Sequence, residues 1–139
     1  MIKNHPIKHD IYRLIPEAKI YLKNRKDVLF AYLFGSFAAE TFSTLSDVDI
    51  AVYLTGKKFS EKRLQILGDL TYVFKTDEID LVVLNTASLT LTMKILQKKK
   101  ILADNAPFSR HIYESITMRS YFDFCKIEKC ILERRFMNG

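Results

Sequence analysis

The stretch Val28-Leu29-Phe30-Ala31-Tyr32-Leu33-Phe34-Gly35-Ser36 is followed, ten residues later, by Asp47-Val48-Asp49-Ile50-Ala51-Val52-Tyr53-Leu54. The first run is short, continuously apolar and rich in β-formers, so it reads as a strand buried on both faces that stops at Gly35-Ser36. The second alternates with a period of two. Val48, Ile50, Val52 and Leu54 share one face, and Asp47 and Asp49 point to the other. Aspartate is a poor strand former, so two of them flanking a valine in an apolar strand ask for a reason.

Working outward, Ile11, Leu14, Ile15, Ala18 and Leu22 recur at helical spacing between Ile7 and Asn24, with Pro16 expected to kink or divide the helix. After a turn at Thr55-Gly56-Lys57-Lys58, Ser60 reads as the cap of a helix carrying Leu64, Ile66, Leu67 and Leu70 and ending near Phe74. Ile79-Asp80-Leu81-Val82-Val83-Leu84 is a third strand, with Asp80, Val82 and Leu84 opposite Ile79, Leu81 and Val83. A helix follows from Ala87 to about Lys98, its C-terminus marked by the run Lys98-Lys99-Lys100. Ile101-Leu102-Ala103 reads as a short edge strand. From Phe108 onward, Ile112, Ile116, Tyr121, Phe122, Cys125 and Leu132 mark one long terminal helix. The order helix, strand, strand, helix, strand, helix, strand, helix is that of an α/β (α+β) chain.

The 139 residues are 48% hydrophobic with only 4 glycines and 3 prolines, which predicts one compact domain over residues 1–139. No stretch approaches the roughly 18 to 20 consecutive apolar residues of a membrane span, and the charged start lacks a signal peptide's apolar stretch, so a cytoplasmic location and no membrane partner are expected. Cys125 and Cys130 project about 140° apart on a helix and are read as reduced thiols. His5 and His9 lack further metal ligands close by. Of the net charge of +6, most lies beyond Ser88, where 10 basic residues face 5 acidic ones. That asymmetry suits a nucleotide, a nucleic acid or an acidic partner protein as well as a solvated lysine-rich face. The basic excess, together with Tyr113, Tyr121, Phe122, Phe124 and Phe136, marks the terminal helix as the partner-binding element.

The chemistry is concentrated between Gly35 and Asp49. A glycine after a strand lets the backbone turn and approach a ligand, and a short helix starting at Ser36 would offer free N–H groups and a hydroxyl to a phosphate. Asp47 and Asp49 place two carboxylates on one face, a geometry that suits Mg²⁺ with its preference for oxygen ligands. Asp80 supplies a third, and three such groups can hold two ions about 3.5 to 4 Å apart. The competing reading is a solvent-exposed strand face, with Asp80 part of an acidic turn after Thr76-Asp77-Glu78.

The spacing Gly35-Ser36, ten residues, Asp47-x-Asp49, preceded by Ser46, resembles the signature of the minimal nucleotidyltransferases of the DNA polymerase β superfamily. Asp80-Leu81-Val82-Val83-Leu84-Asn85 resembles the strand that bears that family's third carboxylate. Arg119-Ser120-Tyr121-Phe122-Asp123-Phe124 resembles a terminal-helix sequence common in its small members. The resemblance implies a small mixed sheet flanked by helices in a polymerase-β-like nucleotidyltransferase fold with a long C-terminal helix. It implies Gly35, Ser36 and Ser46 as nucleotide contacts, Asp47, Asp49 and Asp80 as catalytic metal ligands, two Mg²⁺ ions, and ATP as substrate. The small free-standing members are similar to the antitoxin of HEPN–MNT toxin–antitoxin pairs, in which AMP is transferred to a tyrosine of the ribonuclease. That implies a HEPN-domain ribonuclease toxin as partner in a hetero-oligomer. In one departure, the family's common Ala-Arg-Gly is Ala38-Ala39-Glu40 here, which removes a phosphate contact and adds negative charge. A weakened antitoxin acting by binding alone therefore stays open, as does a transferase modifying a small molecule or RNA.

Overall fold

The computed structural model describes residues 8–35 and 47–137. Helix α1 (Lys8–Asn24) buries Ile11, Leu14, Ala18 and Leu22, the stripe expected from their spacing. Pro16 lies inside one continuous helix and does not divide it. Its ring is exposed, while the buried stripe on either side of it holds both halves of the helix against the sheet.

Four strands form one mixed sheet in the order β3-β2-β1-β4. β1 (Val28–Phe34) runs antiparallel to both β2 (Val48–Leu54) and β4 (Lys100–Asp104), and β2 runs parallel to β3 (Ile79–Val83). A parallel pair needs a crossover, which α2 (Phe59–Phe74) supplies between β2 and β3. One face of the sheet, with Val48, Ile50, Val52, Leu54 and Leu81, packs on α1 and α2. The other, with Phe30, Tyr32 and Ala51, packs on Ile95 and Leu96 of α3 (Leu89–Gln97) and on Tyr113 of α4 (Pro107–Met137). β1 is therefore buried on both faces, as its unbroken apolar run predicts.

The start of α2 corrects two expectations. Its cap position is Lys58, in the left-handed region at φ 60°, with no side-chain cap, so Ser60 lies within the helix. Leu64 is 65% exposed, and burial falls instead on Ile66, Leu70 and Phe74, an unbroken i, i+4, i+8 stripe. Two residues along a helix turn the side chain roughly 160° away, so Leu64 cannot share that stripe with Ile66. Helix α3 is capped by Ser88, whose hydroxyl accepts the Leu91 N–H at 3.2 Å.

Among the described residues, helix α4 is fastened at its first half only. Arg110 pairs with Asp104 at 3.0 Å and Glu114 at 2.8 Å, Lys99 pairs with Glu114 at 3.0 Å, and the Tyr32 hydroxyl donates to Glu114 at 3.2 Å. Thr117 is the last buried residue on it; from there to Arg135 only Tyr121 and Cys125 are half-covered. Tyr113 belongs to the core, whereas Phe122 and Phe124 are exposed, and the side chain of Phe136 lies outside the described residues. Both cysteines are free thiols. Among the described residues no helix is long and apolar enough to cross a membrane.

Candidate functional site

The strand registers assemble an acidic cluster from residues far apart in sequence. In the antiparallel β1/β2 pair Phe34 lies opposite Asp49, and in the parallel β2/β3 pair Asp49 lies opposite Asp80. Facing residues of neighbouring strands project to the same side, about 4.8 Å apart along the hydrogen-bonding direction. Asp47, exposed and two residues before Asp49, extends the same side past the start of β2. The side chains of Asp47, Asp49 and Asp80 thus gather at one end of the sheet face that carries Ala51 and Tyr53 further along.

That face is not an open polar surface. Tyr53 stacks on Phe30 with ring centroids 5.0 Å apart and packs on Tyr113 at 4.9 Å, under the helices. Within β2 and β3 the acidic residues of this face occupy only the end that holds Asp49 and Asp80, which disfavours the reading of β2 as an ordinary solvent-exposed strand. Burial pushes the Asp49 carboxyl up to about 6, and the negative charges of Asp80 and Asp47 push it the same way. Among the described residues, no ion pair or hydrogen bond compensates Asp47, Asp49 or Asp80. A half-buried carboxylate with two like charges beside it favours the uptake of a proton or of a bound cation.

The donor set is oxygen only, which fits a hard cation such as Mg²⁺. Among the described residues no three His, Cys, Asp or Glu side chains are gathered into a finished metal site. The fold brings the three carboxylates to one place and within electrostatic reach of each other without closing them into a cage.

Gly35 has a steric duty that its place in the motif does not disclose. Its φ is +72°, and a Cβ built on it would stand 2.0 Å from Asp49 Oδ2, so any side chain there would displace the central carboxylate. Ser36 and Ser46 lie outside the described residues. Asn85 was missed as a positioning residue. Just past β3, its side-chain amide accepts the Leu54 N–H and donates to the Leu54 carbonyl, both at 2.8 Å, in imitation of a strand partner. It thereby locks β2 against β3 and holds the register that sets Asp49 beside Asp80. The only sequence signal for this was an Asn closing an apolar strand.

Residues 17–107 match the family model described as Polymerase beta, Nucleotidyltransferase. The chain belongs to this nucleotidyltransferase family. Among solved structures it is similar to a chain of a toxin–antitoxin crystallised with AMP-PNP, at 22% identity over 94% of this chain and 99% of that one, with a TM-score of 0.67. It is also similar to a chain from the complex of tri-AMPylated Shewanella oneidensis HEPN toxin with MNT antitoxin, at 22% identity over 89% and 98% of the two chains, with a TM-score of 0.66. A chain of the toxin–antitoxin MntA-HepT gives 23% identity over 89% and 98%, with a TM-score of 0.65. At such identities the likeness establishes a shared fold, here the polymerase-β-like nucleotidyltransferase fold with its long C-terminal helix. No curated protein matches the chain.

Proposed function

We propose that this nucleotidyltransferase is the antitoxin of a HEPN ribonuclease toxin, which it silences by transferring AMP from ATP to a toxin tyrosine. The observation that carries the reading is the convergence of Asp47, Asp49 and Asp80 on one sheet face, with Asp49 raised to about 6 by burial and then by the negative charges of Asp80 and Asp47. The similarity of the fold to chains of HEPN–MNT complexes, one with AMP-PNP and one with an AMPylated toxin, supports the choice of partner and nucleotide. We assign the whole chain to one cytoplasmic domain that forms a hetero-oligomer with the toxin.

In this reading Asp47 and Asp49 would hold Mg²⁺ for the triphosphate and Asp80 would hold a second ion for the acceptor, and Gly35, Ser36 and Ser46 would contact the nucleotide. When bound, Mg²⁺ supplies charge neutralisation at the phosphates and a lower pKa for the acceptor hydroxyl. Asp80 lies on an edge strand and is exposed, so it is open to an acceptor approaching from outside. There it takes up the phenol proton as the general base. The tyrosine oxygen bonds to the α-phosphorus, the bond from that phosphorus to the bridging oxygen breaks, and pyrophosphate leaves. In-line transfer asks little of the protein beyond positioning and charge, which an acidic cluster anchored on a rigid sheet provides. An adenylate on the tyrosine would place a bulky anion near the ribonuclease's RNA-binding groove and exclude RNA by repulsion and lost space.

The test is persistence. Toxin incubated with this protein, ATP and Mg²⁺ and then re-isolated stays inactive if it was modified, and regains full ribonuclease activity if it was only bound. One sequence observation favours a second reading: Ala39 and Glu40 stand where the family commonly has Arg-Gly, as expected of a weakened enzyme that neutralises by binding. Under that reading Ala39→Arg raises transfer activity.

A further inference from the structure

We propose that α4 carries a self-complementary seam through which two copies of this chain pair, helix against helix and antiparallel. Of the large hydrophobic side chains left exposed among the described residues, the majority lie on this one helix. Four isoleucines define the seam: Ile112, Ile116, Ile127 and Ile131, at 43%, 58%, 61% and 52% exposure. At 100° per residue they fall within roughly 100° of arc, the width of a packing stripe, and span nearly 30 Å of helix. The side of α4 facing the sheet, with Arg110, Tyr113, Glu114 and Thr117, lies roughly a quarter turn away. Among the described residues, the body of the protein therefore leaves the seam open along its length. Exposed apolar surface of this extent marks an interaction site.

The symmetry of the seam identifies the occupant. A two-fold interface must be complementary to itself. The pairs Ile112/Ile116 and Ile127/Ile131 stand at equal distances on either side of the peptide bond between Tyr121 and Phe122. In an antiparallel pair centred there, Ile112 meets Ile131 of the second copy and Ile116 meets its Ile127. Ser120, near the centre, is small enough for close approach of the axes. Charge agrees with this register. Arg119 lies at one edge of the seam and Asp123 just inside that edge, and antiparallel pairing brings Arg119 of each copy within about one residue rise, 1.5 Å along the axis, of the level of the other's Asp123. Two symmetric ion pairs then close over the dyad.

Sedimentation equilibrium of the full chain tests this. The expected mass is twice the 16.2 kDa of one chain. Ile127→Glu should give a monomer with an unchanged melting temperature, since the residue is exposed in the single chain. Arg119→Asp should weaken the dimer by setting two aspartates against each other on each side of the dyad. The double variant Arg119→Asp/Asp123→Arg should restore it, a rescue that unspecific hydrophobic association would not show. The inference is overturned if the wild-type chain stays monomeric at about 100 µM, well above the Kd range of specific dimers, or if the double variant fails to recover the dimer. It is equally overturned if the seam is covered only when the toxin is added, which would make a partner helix the occupant.

Discussion

Asp49→Asn should stabilise the metal-free protein while destroying its ability to bind Mg²⁺ with a nucleotide. The carboxyl is raised from the ordinary 3.8 to about 6, first by burial and then by Asp80 and Asp47. Taken at face value that interval is worth about 3 kcal/mol of strain in the ionised folded state. Because the group is only half buried, solvent screening reduces it to about 1 to 1.5 kcal/mol. A folded pKa above the unfolded one means that the folded state holds the extra proton. The penalty is therefore small below about pH 4, grows as the pH rises towards about 6, and is constant above that. Removing the charge should raise the melting temperature by about 4 °C at neutral pH in a chelating buffer, and change it little near pH 4. Added Mg²⁺ with ATP should stabilise the wild-type protein and leave the variant unmoved. Thermal unfolding followed by circular dichroism at the two pH values reads all of this. A variant that is less stable than wild type at neutral pH, or equally stabilised at both pH values, would refute the picture of uncompensated negative charge at Asp49.

Asp80→Asn should lower the transfer rate far more than triphosphate affinity, because Asp47 and Asp49 still hold the nucleotide side; calorimetry and pyrophosphate release separate the two, and equal losses would deny Asp80 its acceptor-side role. Gly35→Ala should cost about 1 to 2 kcal/mol from the left-handed backbone alone, and its Cβ, 2.0 Å from Asp49 Oδ2, should also displace that carboxylate and abolish Mg²⁺-dependent nucleotide binding. Asn85→Ala breaks two hydrogen bonds of 2.8 Å to Leu54 and should destabilise the fold by about 2 kcal/mol in urea denaturation. A neutral result there would mean that the register of β2 on β3 does not depend on the amide.

The strands were legible because their patterns are pure. β1 is apolar without a break and lies inside the sheet, and the period of two in β2 and β3 correctly sends Asp49 and Asp80 to one face. What a period cannot give is registry between strands. That Asp49 lies beside Asp80, and that Gly35 must lack a side chain because Asp49 Oδ2 fills the space, depend on pairing between segments distant in the chain. Local rules failed at the start of α2, where Ser60 has the chemistry of a cap but the left-handed turn at Lys58 begins the helix earlier. Leu64 failed for a different reason: it suits helical spacing in composition, but the stripe that meets the sheet runs through Ile66, Leu70 and Phe74. Asn85 showed only as an Asn closing an apolar strand, because its partners, the N–H and carbonyl of Leu54, belong to the backbone and leave no trace in residue identity.

In the proposed function the three aspartates form one working transferase site directed at a protein acceptor. Intact-mass measurement of the toxin, after incubation with this protein, ATP and Mg²⁺, tests it most directly. Mass increments of whole adenylate units are expected on a toxin tyrosine, with pyrophosphate released in equal amount and no increment with Asp47→Asn. A toxin of unchanged mass in the presence of folded, partner-bound wild-type protein would contradict it.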